Sequence, residues 1–259
     1  LLSFFFEKAV LYCLKKLEDW KPYPAVERRA YRKDAISEVH KDDRRGRSGA
    51  AVPGIFIRNV NKAYGNRQVL SDFSLTMRRG GRYCLMAPSG EGKTTLLGLL
   101  NRTVLPDAGM IEGVPERIGM VFQEDRLCET YDVAANILLT YRPGTGLHCS
   151  GRGKNRGAGA REEALRIIRT EAEKILPPEC VTNSVNQLSG GMKRRCAVLR
   201  AMLSGAELII MDEPFAGLDE QNRERTAAYI LENLNGRTLL VTTHRAEDAA
   251  LLDGEIVTL

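Results

Sequence analysis

The densest chemistry in the chain lies in the stretch Ala87-Pro88-Ser89-Gly90-Glu91-Gly92-Lys93-Thr94-Thr95. It follows the apolar run Tyr83-Cys84-Leu85-Met86 and opens onto Leu96-Leu97-Gly98-Leu99-Leu100, whose leucines recur at helical spacing. A buried strand, a glycine-rich loop and a helix N-terminus in that order form a cradle for phosphate. Backbone N–H groups turn inward, Gly90 and Gly92 keep side chains out of the way, and Lys93 supplies a point charge. Thr94 is placed to give its hydroxyl to Mg²⁺, and Thr95 adds a phosphate contact. The common form of this loop is G-x-x-x-x-G-K-[ST]. Here Ala87 stands at the first glycine and puts a Cβ at the strand-to-loop turn.

Two further stretches carry complementary chemistry. Leu188-Ser189-Gly190-Gly191-Met192 precedes an expected helix over Lys193–Leu203. A hydroxyl and bare N–H groups at the positive end of a helix dipole make a second anion site. One nucleotide does not need two such sites from one chain, whereas two chains set head to tail would use both. Leu208-Ile209-Ile210-Met211 reads as a buried strand ending in Asp212-Glu213. A carboxylate at the C-terminal end of a strand beside a phosphate loop suits Mg²⁺, so Asp212 is the expected metal holder. Glu213 is placed to orient and polarise an attacking water. A strand over Thr238–Thr243 delivers His244 to the same edge.

The elements that must position these residues follow from pattern. Ile55–Tyr64 and Gln68–Met77 read as two strands joined at Gly65-Asn66, a hairpin signal. Pro106-Asp107-Ala108-Gly109 reads as a turn, and Arg117–Phe122 as a strand ending at Gln123. Asp132–Thr140 looks helical with Asp132 as its cap. Arg142–Gly159 holds six glycines, four basic residues and no acid, and is expected to be flexible. Ala160–Leu176 resumes as a charged helix stopped by Pro177-Pro178.

Upstream, residues 1–21 read as an amphipathic helix with Leu2, Phe5, Phe6, Ala9, Val10, Cys13, Leu14 and Leu17 on one face. Two readings stay open for it: an interfacial helix beside a membrane segment, or a helix packed on the main domain. Residues 22–54 form a linker in which eight basic residues meet five acidic ones between Glu27 and Arg47. The main domain is expected over 55–259, with a helical part at about 124–200.

Composition bounds the function. With 259 residues, 43% of them hydrophobic, the chain can bury one full core plus a small appendage. A net charge of +5 is mild, and the basic stretches lack the interleaved aromatics of a nucleic-acid binder, so none is expected as partner. Six cysteines are scattered without C-x-x-C spacing, which suits reduced thiols. Three histidines show no metal-binding spacing, and no apolar run is long enough to span a bilayer.

Taken together, these residues resemble the ATP-binding cassette ATPases, the motor subunits of ABC transporters, with every motif in family order from Ile55 to Leu259. The resemblance implies an α/β P-loop NTPase core with a mixed or parallel sheet flanked by helices, an antiparallel β subdomain and a helical subdomain. It implies that Tyr64 stacks on adenine and that Ala87–Thr95 is the Walker A loop. Gln123 becomes the Q-loop glutamine, acting in catalysis and on the metal. Leu188–Met192 becomes the signature motif, with Ser189, Gly190 and Gly191 contacting nucleotide. Asp212 is then the Walker B carboxylate, Glu213 the catalytic glutamate, Ala216-Gly217-Leu218-Asp219 the D-loop, and His244 the switch histidine. The implied cofactors are ATP and Mg²⁺.

The implied partners are a second cassette, head to tail, and a transmembrane permease at the cytoplasmic face of the plasma membrane. Asp212-Glu213-Pro214-Phe215 is similar to importer ATPases, and Val121–Leu127 resembles the nitrate, sulfonate and taurine type, which adds an extracytoplasmic solute-binding protein. Residues 1–24 look like the cytoplasmic tail of such a permease. The chain opens on Leu1 and not Met, so a permease–ATPase fusion cut before that tail is the expectation. An exporter half-transporter, a soluble cassette acting on DNA or ribosomes, and a non-catalytic regulatory cassette are the alternatives. The D-E-P-F stretch, the single cassette without a coiled-coil insertion, and the presence of Glu213 with His244 speak against each in turn.

Overall fold

The computed structural model describes residues 54–88, 90–142 and 158–259. The amphipathic segment, nearly all of the charged linker, Ser89 and most of the glycine-rich stretch lie outside the described residues. In chain order the first elements are β1 (Gly54–Tyr64), β2 (Arg67–Arg78), β3 (Arg82–Met86), α1 (Lys93–Leu100), β4 (Ala108–Glu112) and β5 (Ile118–Val121). Then come α2 (Val133–Leu138), α3 (Ala158–Ala172), α4 (Gly190–Met202), β6 (Leu208–Asp212), α5 (Glu220–Asn233), β7 (Thr238–Thr242), α6 (Ala246–Leu251) and β8 (Glu255–Thr258). Short 3-10 turns at Pro178–Cys180 and Val185–Gln187 join α3 to α4.

Two sheets result. One is antiparallel, in the order β2-β1-β4, and the other runs β5-β6-β7-β3-β8 with every neighbouring pair parallel. The expected hairpin is present, with Tyr64 opposite Arg67 across Gly65-Asn66. Gly54, assigned to the linker from sequence, is the first residue of β1. The Pro106–Gly109 turn is a correction, since Ala108 already belongs to β4. Asp107 explains the misreading: its carboxylate accepts from the Ala63 N–H at 2.7 Å and the Lys62 ammonium at 2.6 Å. Those bonds, the Lys62 one first, hold its carboxyl below the usual range. The side chain that reads as a turn former here fastens β4 onto β1.

Strands β6 and β7 and the centre of β3 are buried on both faces, as their mostly apolar runs require, whereas β8 at the sheet edge is largely exposed. Period-two alternation divides them between two cores. Leu208 and Ile210 of β6, Leu85 of β3 and Leu240 of β7 join the leucines of α1 and residues Ile55, Ile57 and Val60 of β1. Ile209, Met211, Leu239 and Val241 face the other way, against α2, α4 and α5. Leu96, Leu97, Leu99 and Leu100 are all fully buried, and each contributes about 1.5–3 kcal/mol. This anchors the helix whose N-terminus bears Lys93. Helix α4 begins at Gly190 and not Lys193, because Ser189 caps it by accepting from the Met192 N–H at 3.3 Å. The charged helix α3 ends at Ala172, four residues short of expectation.

Cys84, Cys180 and Cys196 all sit in this core, and the first and last are almost completely shielded. Burial, helped by the Asp248 carboxylate, pushes the Cys84 thiol from an ordinary 9.0 up to about 11. Burial likewise pushes Cys196 up to about 12. An unfolded chain releases both protons near 9, so the fold alone holds them above that. Stability is therefore fully present below about pH 9 and falls as pH rises towards 11–12. At about pH 8, N-ethylmaleimide should spare both thiols in the folded chain and label both in denaturant. Labelling of either in the folded state would remove it from the core.

Candidate active site

The C-terminal ends of β3, β5, β6 and β7 lie along one edge of the parallel sheet, where open α/β folds bind ligands. The phosphate loop leaves β3 at Ala87 and enters α1 through Gly92, the residue preceding Lys93. Gly90 and Gly92 take left-handed φ values of 84° and 103°. A Cβ on Gly92 would come within 2.8 Å of Val69, so glycine is required there for space as well as conformation. The Lys93 ammonium donates to the carbonyls of Ala87 and, at 3.0 Å, Pro88, which holds the charge across the loop. Glu91 and Thr94 are exposed, and Thr95 is half-buried.

Ala87 is half-buried and has no positive φ among the residues that do, so its Cβ introduces no left-handed strain. Ala87→Gly should leave nucleotide affinity within about threefold and lower stability by about 0.4–1 kcal/mol, because glycine adds freedom to the unfolded chain. Calorimetric titration and thermal melts check both. A tenfold gain in affinity would show that alanine does hamper the loop.

Asp212 ends β6 and is 7% exposed. Glu213 follows with φ 49°, a left-handed conformation that costs a non-glycine residue about 1–2 kcal/mol. Thr242 of β7 compensates. The Glu213 N–H donates to its carbonyl at 3.2 Å and to its hydroxyl at 3.1 Å, and that hydroxyl in turn donates to Asp212 Oδ1. One threonine thus fixes both carboxylate residues. His244 Nδ1 lies 3.5 Å from Glu213 Oε1, with the imidazole two-thirds exposed. Beneath it, the Thr243 hydroxyl donates to Asp248, which also meets Arg223 at 3.4 Å.

The oxygen donors Asp212, Thr94 and Gln123 fit a hard divalent cation that retains some of its own water and phosphate ligands. No cluster of three or more His, Cys, Asp or Glu among the described residues could cage a metal unaided. Gln123 itself is exposed, just past the end of β5.

Tyr64 sits at the tip of the first hairpin, 51% exposed, with the Lys62 ammonium 5.5 Å from its ring centre. Arg67, from the same turn, donates to the Gly90 carbonyl at 2.8 Å and so ties the hairpin to the phosphate loop. Sequence reading missed this arginine, as it missed Thr242, because both act through contacts across the fold.

The second anion site is elsewhere. Ser189, Gly190 and Gly191 line a cavity of about 760 Å³ with Asp125, Arg195, Gly217 and Asp219. None of Lys93, Thr94, Asp212, Glu213 and His244 lines it. Asp219 caps α5 by accepting from the Asn222 N–H at 2.8 Å, and that bond with the Asn222 side chain holds its carboxyl below the usual range. The cavity at the Ser189 helix end thus takes no lining from the Lys93 loop or from the Asp212-Glu213 pair.

A family model described as ABC transporter matches residues 70–216. The aliphatic sulfonates import ATP-binding protein of Nocardia farcinica is 35% identical, over 79% of this chain and 77% of that protein. The Nod factor export ATP-binding protein I of Burkholderia lata is 34% identical, over 78% of this chain and 66% of that one. The chain thus spans about two thirds of the latter's length. A dimeric ATP-binding cassette in a post-hydrolysis state, bound to ADP and Pi, superposes with a TM-score of 0.63 at 27% identity. That alignment covers 79% of this chain and 94% of the other.

Proposed function

This chain belongs to the ABC transporter family, and from that premise we propose that it binds and hydrolyses ATP as one half of a head-to-tail dimer. The observation that carries this reading is that the cavity at the Ser189 helix end shares no lining residue with the Lys93 loop. The Lys93 loop and the Ser189 helix end serve a single triphosphate only when they come from different copies. A dimeric assembly is also what the superposing cassette adopts by its own description.

In this reading Tyr64 packs on adenine, and the loop from Ala87 to Thr95, Ser89 included, wraps the phosphates with N–H groups and the Lys93 ammonium. Thr94, Gln123 and Asp212 would hold Mg²⁺, which would supply positive charge to offset that on the phosphates. Ser189, Gly190 and Gly191 of the second copy bring a helix N-terminus to the γ-phosphate, and Asp219 borders that contact. Glu213 accepts a proton from water as its oxygen attacks the γ-phosphorus. The bond to the β–γ bridging oxygen breaks, giving ADP and phosphate. His244, beside Glu213, donates to the γ-phosphate and so reports its presence to the β7 end.

The transport reading is import of a small anionic solute through a membrane permease, fed by an extracytoplasmic binding protein, with the chain at the cytoplasmic membrane face. The sulfonate importer likeness and the D-E-P-F stretch support it. Export is the second reading, favoured by the similar identity to a Nod factor exporter subunit. Among the described residues no helix is long and apolar enough to cross a membrane.

Turnover per chain should rise with protein concentration until dimers saturate. Ser189→Arg should suppress turnover while leaving ATP binding to the monomer intact. A rate per chain independent of concentration, with Ser189→Arg fully active, would sink the dimer. Solute uptake into vesicles, with this chain and its permease supplied with ATP on the outside face or the inside face, separates import from export.

A further inference from the structure

The backbone leading away from Gln123 is gripped by one helix. Arg194 of α4, 7% exposed, donates from one guanidinium nitrogen to the Phe122 carbonyl and from the other to the Gln123 carbonyl, both at 2.6 Å. Six residues further along α4, Arg200 donates to the carbonyls of Asp125 at 2.8 Å and Arg126 at 2.6 Å. The loop is thus laid along α4 and fastened at four carbonyls. A guanidinium suits this because its planar fork reaches two successive carbonyls, which an ammonium does not do from one rotamer. The Asp125 carboxylate lies 3.2 Å from Arg194 and offsets its buried charge, though Oδ1 lacks a hydrogen bond of good geometry. Burial raises the Asp125 carboxyl above its usual range, and Arg194, Arg200 and Lys193 oppose that.

The same helix starts at Ser189-Gly190-Gly191. We propose that Arg194 is a positioning residue that sets the Gln123 side chain by holding its backbone to the helix that carries the second anion site. A shift of α4 as Ser189 meets a phosphate then displaces Gln123 with it. Closure at one nucleotide is thereby passed to the metal side of this copy's own site. The proposal rests on the reading of Gln123 as a metal contact and adds to it the residue that aims it. The thirteen residues of α4 supply a rigid lever, with Arg194 and Arg200 on the loop and Ser189 at its tip.

The test uses the full chain carrying Glu213→Gln, so that bound ATP persists. The readouts are the ratio of ATP affinities with and without Mg²⁺, and amide hydrogen exchange over 122–126. Arg194→Gln should speed exchange in that loop about tenfold and lower the Mg²⁺ enhancement of ATP affinity about fivefold, with affinity in EDTA unchanged. Arg194→Lys should recover part of both. Combined with Gln123→Ala, Arg194→Gln should add nothing further, because it acts through Gln123. Unchanged exchange would overturn the clamp. Faster exchange with an unchanged Mg²⁺ effect, where Gln123→Ala does reduce it, would overturn the positioning role alone. If neither Gln123→Ala nor Arg194→Gln alters the Mg²⁺ effect, the metal reading of Gln123 fails, and the proposal with it. A global loss of thermal stability together with equal weakening in EDTA and Mg²⁺ would assign Arg194 to folding only.

Discussion

A Glu213→Gln chain should bind MgATP as tightly as the parent yet lose about 10²–10⁴ in turnover rate. The amide has the shape of the carboxylate and keeps the backbone bonds that Thr242 makes to residue 213. What it loses is the basicity that takes a proton from water. The strained backbone at φ 49° is retained, so stability should change little. Because ATP is then bound and uncleaved, chains should accumulate as dimers at stoichiometric nucleotide, and light scattering after size exclusion would record the doubled mass. Single-turnover rates equal to the parent's would take the proton-accepting role away from Glu213.

How much of this could be read from the chain depends on the range over which each feature is made. The phosphate loop and the Asp212-Glu213 pair are local: an apolar strand, a special turn and a helix start occupy adjacent residues, and their chemistry follows from types and spacing. The hairpin at Gly65-Asn66 is local too. Strand β4 is not, since Ala108 and Gly109 carry turn composition and are made into a strand by bonds from Lys62 and Ala63 to Asp107. Helix α5 hides its periodicity because its buried face includes Arg223, Thr226 and Asn233. The last two satisfy their polar atoms on carbonyls of Asn222 and Tyr229 in the same helix, so polar types sit where a pattern search expects apolar ones.

The supports of the site were least legible. Thr242 meets Asp212 across thirty residues, and Arg194 meets the loop at Gln123 across seventy-one. A threonine within a strand and an arginine within a basic helix carry no sequence mark of such duty. Ala87 illustrates the converse. From the sequence it departs from the loop's common pattern, and the backbone shows that its Cβ meets no left-handed strain, since the left-handed turns fall at Gly90 and Gly92 instead.

Lys93→Ala should weaken MgATP binding by about two orders of magnitude or more, as loss of a charge-assisted contact of about 3 kcal/mol implies. The lysine is the only residue of the Ala87–Thr95 stretch that brings a full positive charge, and Glu91 brings a negative one. Without it the cradle relies on N–H dipoles and on the end of α1, an eight-residue helix whose dipole alone is worth well under that figure. The carbonyls of exposed Pro88 and half-buried Ala87 also lose their donor, and at Pro88 water replaces it. The fold should therefore survive, and α1 stays anchored by four buried leucines. Equilibrium titration with a fluorescent ATP analogue, alongside a thermal melt, separates the two effects. An unchanged affinity in a folded Lys93→Ala chain would mean that the triphosphate does not lie in this loop. Arg67 grips the loop at Gly90 from outside, and Arg67→Ala would then become the next variant to titrate.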